Sequence, residues 1–91
     1  MSTVDPGSAW SLHPQVSVRP EPFGALLYHF GTRKLSFLKD RTLLAVVERL
    51  ADAPSAHDAC AAAGVAADQE PTYLRALGTL AASQMLVERA A

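Results

Sequence analysis

A chain of 91 residues has room for one modest core, burying about 60 to 65% of the surface its unfolded form exposes. Eight Lys/Arg stand against nine Asp/Glu, a formal net charge of −1, so no excess of positive charge draws the chain to nucleic acid or to an anionic membrane. The single cysteine, Cys60, has no internal disulfide partner, no charged and apolar leader opens the chain, and no apolar stretch approaches the roughly 20 residues that span a bilayer; a soluble, cytoplasmic protein is expected.

The first nine residues, MSTVDPGSA, are polar and broken by Pro6 and Gly7, and read as a flexible N-terminal tail to a single domain over 10–91. From Trp10 to Pro20 the apolar positions Trp10, Leu12, Val16 and Val18 have the period of a half-buried strand, interrupted at Pro14, where proline suits an edge or a bulge. An apolar and aromatic run follows to Phe30, then a turn built on Gly31 and Thr32, then a second alternation from Lys34 to Leu38. Short connections join these segments into a three-stranded antiparallel meander, with KLSFL last and therefore at an edge. Leu35 and Phe37 are expected to pack inward, leaving Lys34, Ser36 and Leu38 to meet a neighbour.

Beyond Lys39 the period becomes helical. Asp40 is a candidate N-cap for a first helix whose stripe is Leu43, Val47 and Leu50, flanked by Leu44 and Val46, and Asp52-Ala53-Pro54 is its stop. Ser55 can cap a short second helix that Gly64 ends in a left-handed conformation. Pro71 suits the first turn of a third helix with Tyr73, Leu74, Leu77, Leu80 and Ala81 on its apolar face, and MLVE after it reads as a short closing strand. The fold class that results is α+β: a small winged helix-turn-helix, in which a three-stranded antiparallel sheet is followed by a three-helix core.

Residues that carry chemistry are sparse. No glycine-rich phosphate loop is present, and His13, His29 and His57 lack ligand spacing on any one element, so neither cofactor nor metal is expected. Cys60 lies among alanines without a cation and reads as a small buried residue, not a nucleophile. Glu48 and Glu88, each near an arginine, read as solvated ion pairs. Gly78 costs about 1 kcal/mol in mid-helix; close approach of another backbone and plain tolerance are both compatible with it. The third helix offers one cation, Arg75, which argues against entry into a DNA groove.

The segment RPEPFGALLYHFGTRKLSFLKDRTLLAVVERLADAPSAHDACAAAGV resembles the peptide chaperones of mycofactocin systems (MftB), PqqD-like members of the RiPP recognition elements. The resemblance runs from about Arg19 to Leu86, is most specific in RPEPFGALLYHFGTRKLSFL, and places MLVE where the family closes its fold; the proline-marked N-terminal segment is longer than in the commoner PqqD pattern. It implies a non-enzymatic domain that binds the leader of a ribosomally made precursor peptide and presents it to a radical SAM maturase. It further implies that the leader adds as a strand to the last strand of the sheet, in the groove between that strand and the third helix. Carried onto this chain, the peptide-binding residues are Arg33, Lys34, Leu35, Ser36, Phe37, Leu38 and Lys39 on the strand side. On the helix side they are Tyr73, Leu74, Arg75, Leu77, Gly78 and Ala81. An exposed edge of this kind also pairs with copies of itself, so a homodimer through the sheet edge is a further expectation. The rival readings are a winged-helix DNA-binding regulator and an interaction domain for an unrelated protein. Arg33, Lys34, Lys39 and Arg41 around the strand favour an acidic leader segment.

Overall fold

The computed structural model describes residues 4–89. The fold is α+β, with strands β1 (Trp10–Leu12), β2 (Val16–Glu21), β3 (Gly24–His29) and β4 (Leu35–Leu38), helices α1 (Arg41–Arg49), α2 (Ala56–Ala62) and α3 (Glu70–Ala82), and a closing strand β5 (Leu86–Glu88). The meander β2-β3-β4 is antiparallel, with β4 at its edge. Trp10 to Pro20 is not one strand: the chain turns at Pro14 and Gln15, where the His13 Nδ1 accepts from the Gln15 amide at 3.0 Å, and β1 leaves to pair with β5. Trp10 stands opposite Glu88 in that two-stranded sheet.

Local signals set the helix boundaries. The Asp40 carboxylate accepts from the Thr42 amide at the start of α1, and Ser55 Oγ accepts from the Asp58 amide at the start of α2. Gly64 is left-handed at φ 85° after α2, and proline occupies the first turn of α3. The inner face of the meander, carrying Ala25, Leu27 and Leu38, covers Val46, Val47, Leu50, Ala56, Ala59, Cys60, Leu74, Leu77 and Leu80, with Met85 and Leu86 closing the core. Burial pushes the Cys60 thiol pKa up, as suits a small apolar filler.

Residues 1–3 of the expected tail lie outside the described residues, but residues 4–9 are packed and hydrogen-bonded. Val4 is buried and its amide donates to the Leu74 carbonyl at 3.3 Å, while Pro6 and Ser8 carbonyls accept from the His57 and Ala56 amides at 2.9 and 2.8 Å. Those carbonyls satisfy amides in the first turn of α2, which have no partner within the helix. Arg89 fastens the other terminus: its amide donates to the Ala9 carbonyl at 2.8 Å and its guanidinium to the carbonyls of Trp10, Ala51 and Ala53. Among the described residues the ion pairs are Arg19 with Glu21 at 3.0 Å and His57 with Glu70 at 2.8 Å, so the pairs expected for Glu48 and Glu88 do not form.

Candidate functional site: the edge strand and its groove

The orientation of β4 is the reverse of the expected one. Cross-strand partners share a face, and Leu27 and Ala25 on the core side of β3 stand opposite Ser36 and Leu38. Leu38 is therefore 1% exposed, whereas Leu35 and Phe37 are 54% and 60% exposed on the outer face. Strand β3, GALLYH, is apolar on both faces, so alternation in β4 could not tell which face meets the helices. The chain's turn from Leu38 through Asp40 into α1 draws Leu38 onto the helical layer.

The hairpin that presents β4 is fixed by two unpredicted features. Its loop covers Phe30 to Arg33, and the left-handed residue is Arg33 at φ 63°, not Gly31. The buried His29 imidazole shapes the loop: its Nδ1 accepts from the Gly31 and Thr32 amides at 3.0 and 3.1 Å. At the other end Gly24, φ 151°, packs so closely that a Cβ there would lie 2.0 Å from the Leu38 carbonyl oxygen and 3.0 Å from the Asp40 nitrogen. Only glycine fits this approach without moving the junction between β4 and α1. The proximity of Gly24 to Leu38 left no mark in the local sequence.

The direction of the β4 amides follows from the hairpin. The His29 amide donates to the Lys34 carbonyl at 3.0 Å, making this a hydrogen-bonded position of the antiparallel ladder. Such positions alternate, so those at Ser36 and Leu38 face β3, while the amides and carbonyls of Leu35 and Phe37 point to the free edge. A strand laid along that edge would meet two donors and two acceptors.

Past the end of β4, between the first turns of α1 and α3, lies a groove lined by Asp40, Leu43, Gln69, Thr72, Tyr73 and Ala76, none of them a residue of β4. Its volume is about 320 Å³, at the small end of ligand pockets, which suits one or two side chains of a longer chain. The Tyr73 hydroxyl donates to the Asp40 carboxylate at 2.5 Å, spanning the groove floor and tying α3 to the cap of α1. That bond, with the Thr42 amide, holds the Asp40 pKa below its ordinary value and pushes that of Tyr73 up.

The residues expected on α3 divide among three environments. Tyr73 lines the groove, and Arg75 is exposed. Leu74 and Leu77 are core residues at 5% and 0% exposure, packed where the domain has no surface to spare. Gly78 and Ala81 line a different depression with Val4, Ser8, Trp10 and Glu88, beneath the N-terminal segment. The stripe of α3 is wider than one face because it supports the core, the groove and the docked N-terminus at once. Asp40, Leu43, Gln69, Thr72 and Ala76 are the groove residues that sequence reasoning did not assign to it, and the i, i+4 spacing of Thr72 and Ala76 was the signal available. On the strand, Arg33, Lys34 and Lys39 are exposed and Ser36 is half-buried.

The sequence profile of the Peptide chaperone MftB family matches residues 9–87. The chain is 67% identical to "Peptide chaperone MftB" of Mycobacterium tuberculosis over 97% of its own length and 81% of that protein's. It is also 67% identical to the protein of that name from Mycolicibacterium smegmatis, over 93% of its length and 83% of the relative's, and 64% identical to that of Mycobacterium ulcerans, over 96% and 80%. No solved structure matches it significantly. With a family profile spanning β1 to β5 and relatives this similar along nearly the whole chain, the protein belongs to the peptide chaperone MftB family.

Proposed function

We propose that this chain is a non-enzymatic, cytoplasmic adaptor that binds the leader of a ribosomally made precursor peptide by strand addition at β4 and presents it to a radical SAM maturase in mycofactocin biosynthesis. The observation that carries the reading is the free edge of β4, where the Leu35 and Phe37 amides and carbonyls point away from β3, with the groove at Asp40 and Tyr73 beginning two residues beyond the strand's end. A peptide paired there gains main-chain hydrogen bonds, and alternate side chains reach the groove. The peptide-binding set is then Arg33, Lys34, Leu35, Ser36, Phe37 and Lys39, with Asp40, Leu43, Thr72, Tyr73, Arg75 and Ala76 beyond the strand; Leu38, enclosed in the core and paired with Ala25, anchors the strand from behind. Leu74, Leu77, Gly78 and Ala81 support the fold behind it. Three helices with a sheet at their side are read as a winged helix-turn-helix used for peptide capture; α3 exposes Arg75 as its one cation, too little for a DNA groove.

The experiment is a titration of labelled, uncleaved precursor peptide into the protein, with an unrelated duplex DNA as control. Saturable binding of the peptide and none of the duplex is expected. Binding of the duplex in preference to the peptide would replace the adaptor by a regulator.

A further inference from the structure

The outer face of the meander is the most unusual surface of the molecule. All three phenylalanines of the chain lie exposed, Phe23 at 46%, Phe30 at 59% and Phe37 at 60%, and Leu35 joins them at 54%. The register puts Leu26 opposite Phe37 and Tyr28 opposite Leu35, on the same face. Phe23 and Phe37 lie 6.5 Å apart and Tyr28 and Phe30 5.2 Å apart edge to face, two ring pairs with Leu26 and Leu35 beside them on the same face. An exposed apolar face of this kind on a small domain marks an interaction site.

Charge identifies what fits it. Between Arg19 and Arg41 there are five cations, Arg19, Arg33, Lys34, Lys39 and Arg41, against two carboxylates, Glu21 and Asp40; the rest of the chain has three cations against seven carboxylates. The hairpin layer is therefore cationic on a molecule that is acidic elsewhere, and Asp40 is already engaged by Tyr73 and Thr42. Two copies placed face to face would juxtapose like-charged rims. A leader strand beside β4 lies in the plane of the sheet, so it widens this face without covering it.

We infer that the outer sheet face, centred on Phe23, Leu26, Tyr28, Phe30, Leu35 and Phe37, docks a folded protein that presents apolar side chains ringed by carboxylates, and that this protein is the enzyme receiving the peptide. The inference rests on the adaptor reading above. An enzyme seated on this face abuts the β4 edge and thus contacts the leader's outward side chains together with Leu35 and Phe37. The loaded adaptor presents a wider sheet face than the empty one.

The test uses the full chain with purified radical SAM maturase as the probe, measured by surface plasmon resonance, and labelled leader titrated in parallel. The double variant Phe23→Ser, Phe30→Ser leaves β4 untouched. It is expected to weaken maturase binding at least tenfold while leader affinity stays within about twofold of the parent. Arg19→Glu, on β2 at the edge opposite β4, is expected to slow association and flatten its salt dependence. Carbene footprinting of the unmutated chain, which needs no variant to fold, is expected to show Phe23, Phe30 and Phe37 shielded by the maturase. The inference is overturned by full maturase affinity in the folded double variant or by absence of shielding. It is also overturned if that variant loses the leader instead, if the parent binds phosphatidylserine vesicles more tightly than the maturase, or if the parent is a dimer that the variant dissolves. Should the maturase dock and shield the rings while no leader binds, the leader reading fails alone.

Discussion

Proline scanning of β4 separates backbone recognition from side-chain recognition. Leu35→Pro removes an amide directed at the free edge and leaves the ladder to β3 intact; Ser36→Pro removes the donor opposite Leu27 in that ladder. The second change strands a carbonyl on a fully buried residue, at a cost of about 1 to 3 kcal/mol, a large share of the stability of so small a domain. The first costs the fold less, because Leu35 is 54% exposed. It costs binding one main-chain hydrogen bond, about 0.5 to 1.5 kcal/mol, plus the obstruction of the pyrrolidine ring where the incoming strand must approach. Together these weaken leader binding by about tenfold or more relative to Leu35→Ala, which deletes the side chain and keeps the amide. Fluorescence anisotropy with labelled leader measures the affinities, and circular dichroism with thermal melting measures the fold. Equal affinity of folded Leu35→Pro and Leu35→Ala would refute the reasoning, as would a Ser36→Pro variant as stable as the parent.

Three further outcomes follow from the same geometry. Leu38→Ala should lose about 2 to 5 kcal/mol in urea denaturation and Phe37→Ala less than about 1 kcal/mol, because Leu38 is enclosed and Phe37 exposed. Gly24→Ala should destabilise by more than about 1 kcal/mol, since its Cβ would meet the Leu38 carbonyl, and should speed amide exchange along β4. Asp40 has a folded pKa below its unfolded value, so its contribution is present above about pH 4 and is lost as pH falls through the folded pKa; Asp40→Asn, which can still cap α1, should cost about 0.5 to 1 kcal/mol at pH 7 through the lost charge on the bond from Tyr73 and should flatten the acid side of the stability profile measured by thermal melting.

What the sequence disclosed was chiefly what neighbouring residues decide. The caps Asp40 and Ser55, the left-handed Gly64, Pro71 in the first turn of α3 and the meander with β4 at its edge are set within a few residues of chain. The rest depends on contacts distant in sequence. Trp10 pairs with Glu88, Val4 docks on α3, and Arg89 reaches back to Trp10, none of which leaves a periodic signature. Facing was the costliest ambiguity. Leu26, Leu27 and Tyr28 are apolar in succession, so either face of the meander could have been the core, and the choice reverses Leu35, Phe37 and Leu38. The apolar stripe of α3 likewise suggested a binding face, while Leu77 is needed entirely within the core. An aspartate at that position would test folding, not peptide capture.

The central claim, strand addition at β4, is tested most directly by residue-resolved amide exchange of the protein by NMR, alone and with the precursor peptide. In the free protein the Ser36 and Leu38 amides should exchange slowly and those of Leu35 and Phe37 quickly. Saturating peptide should slow Leu35 and Phe37 selectively. Peptide binding that leaves the Leu35 and Phe37 amides exchanging as in the free protein would contradict it.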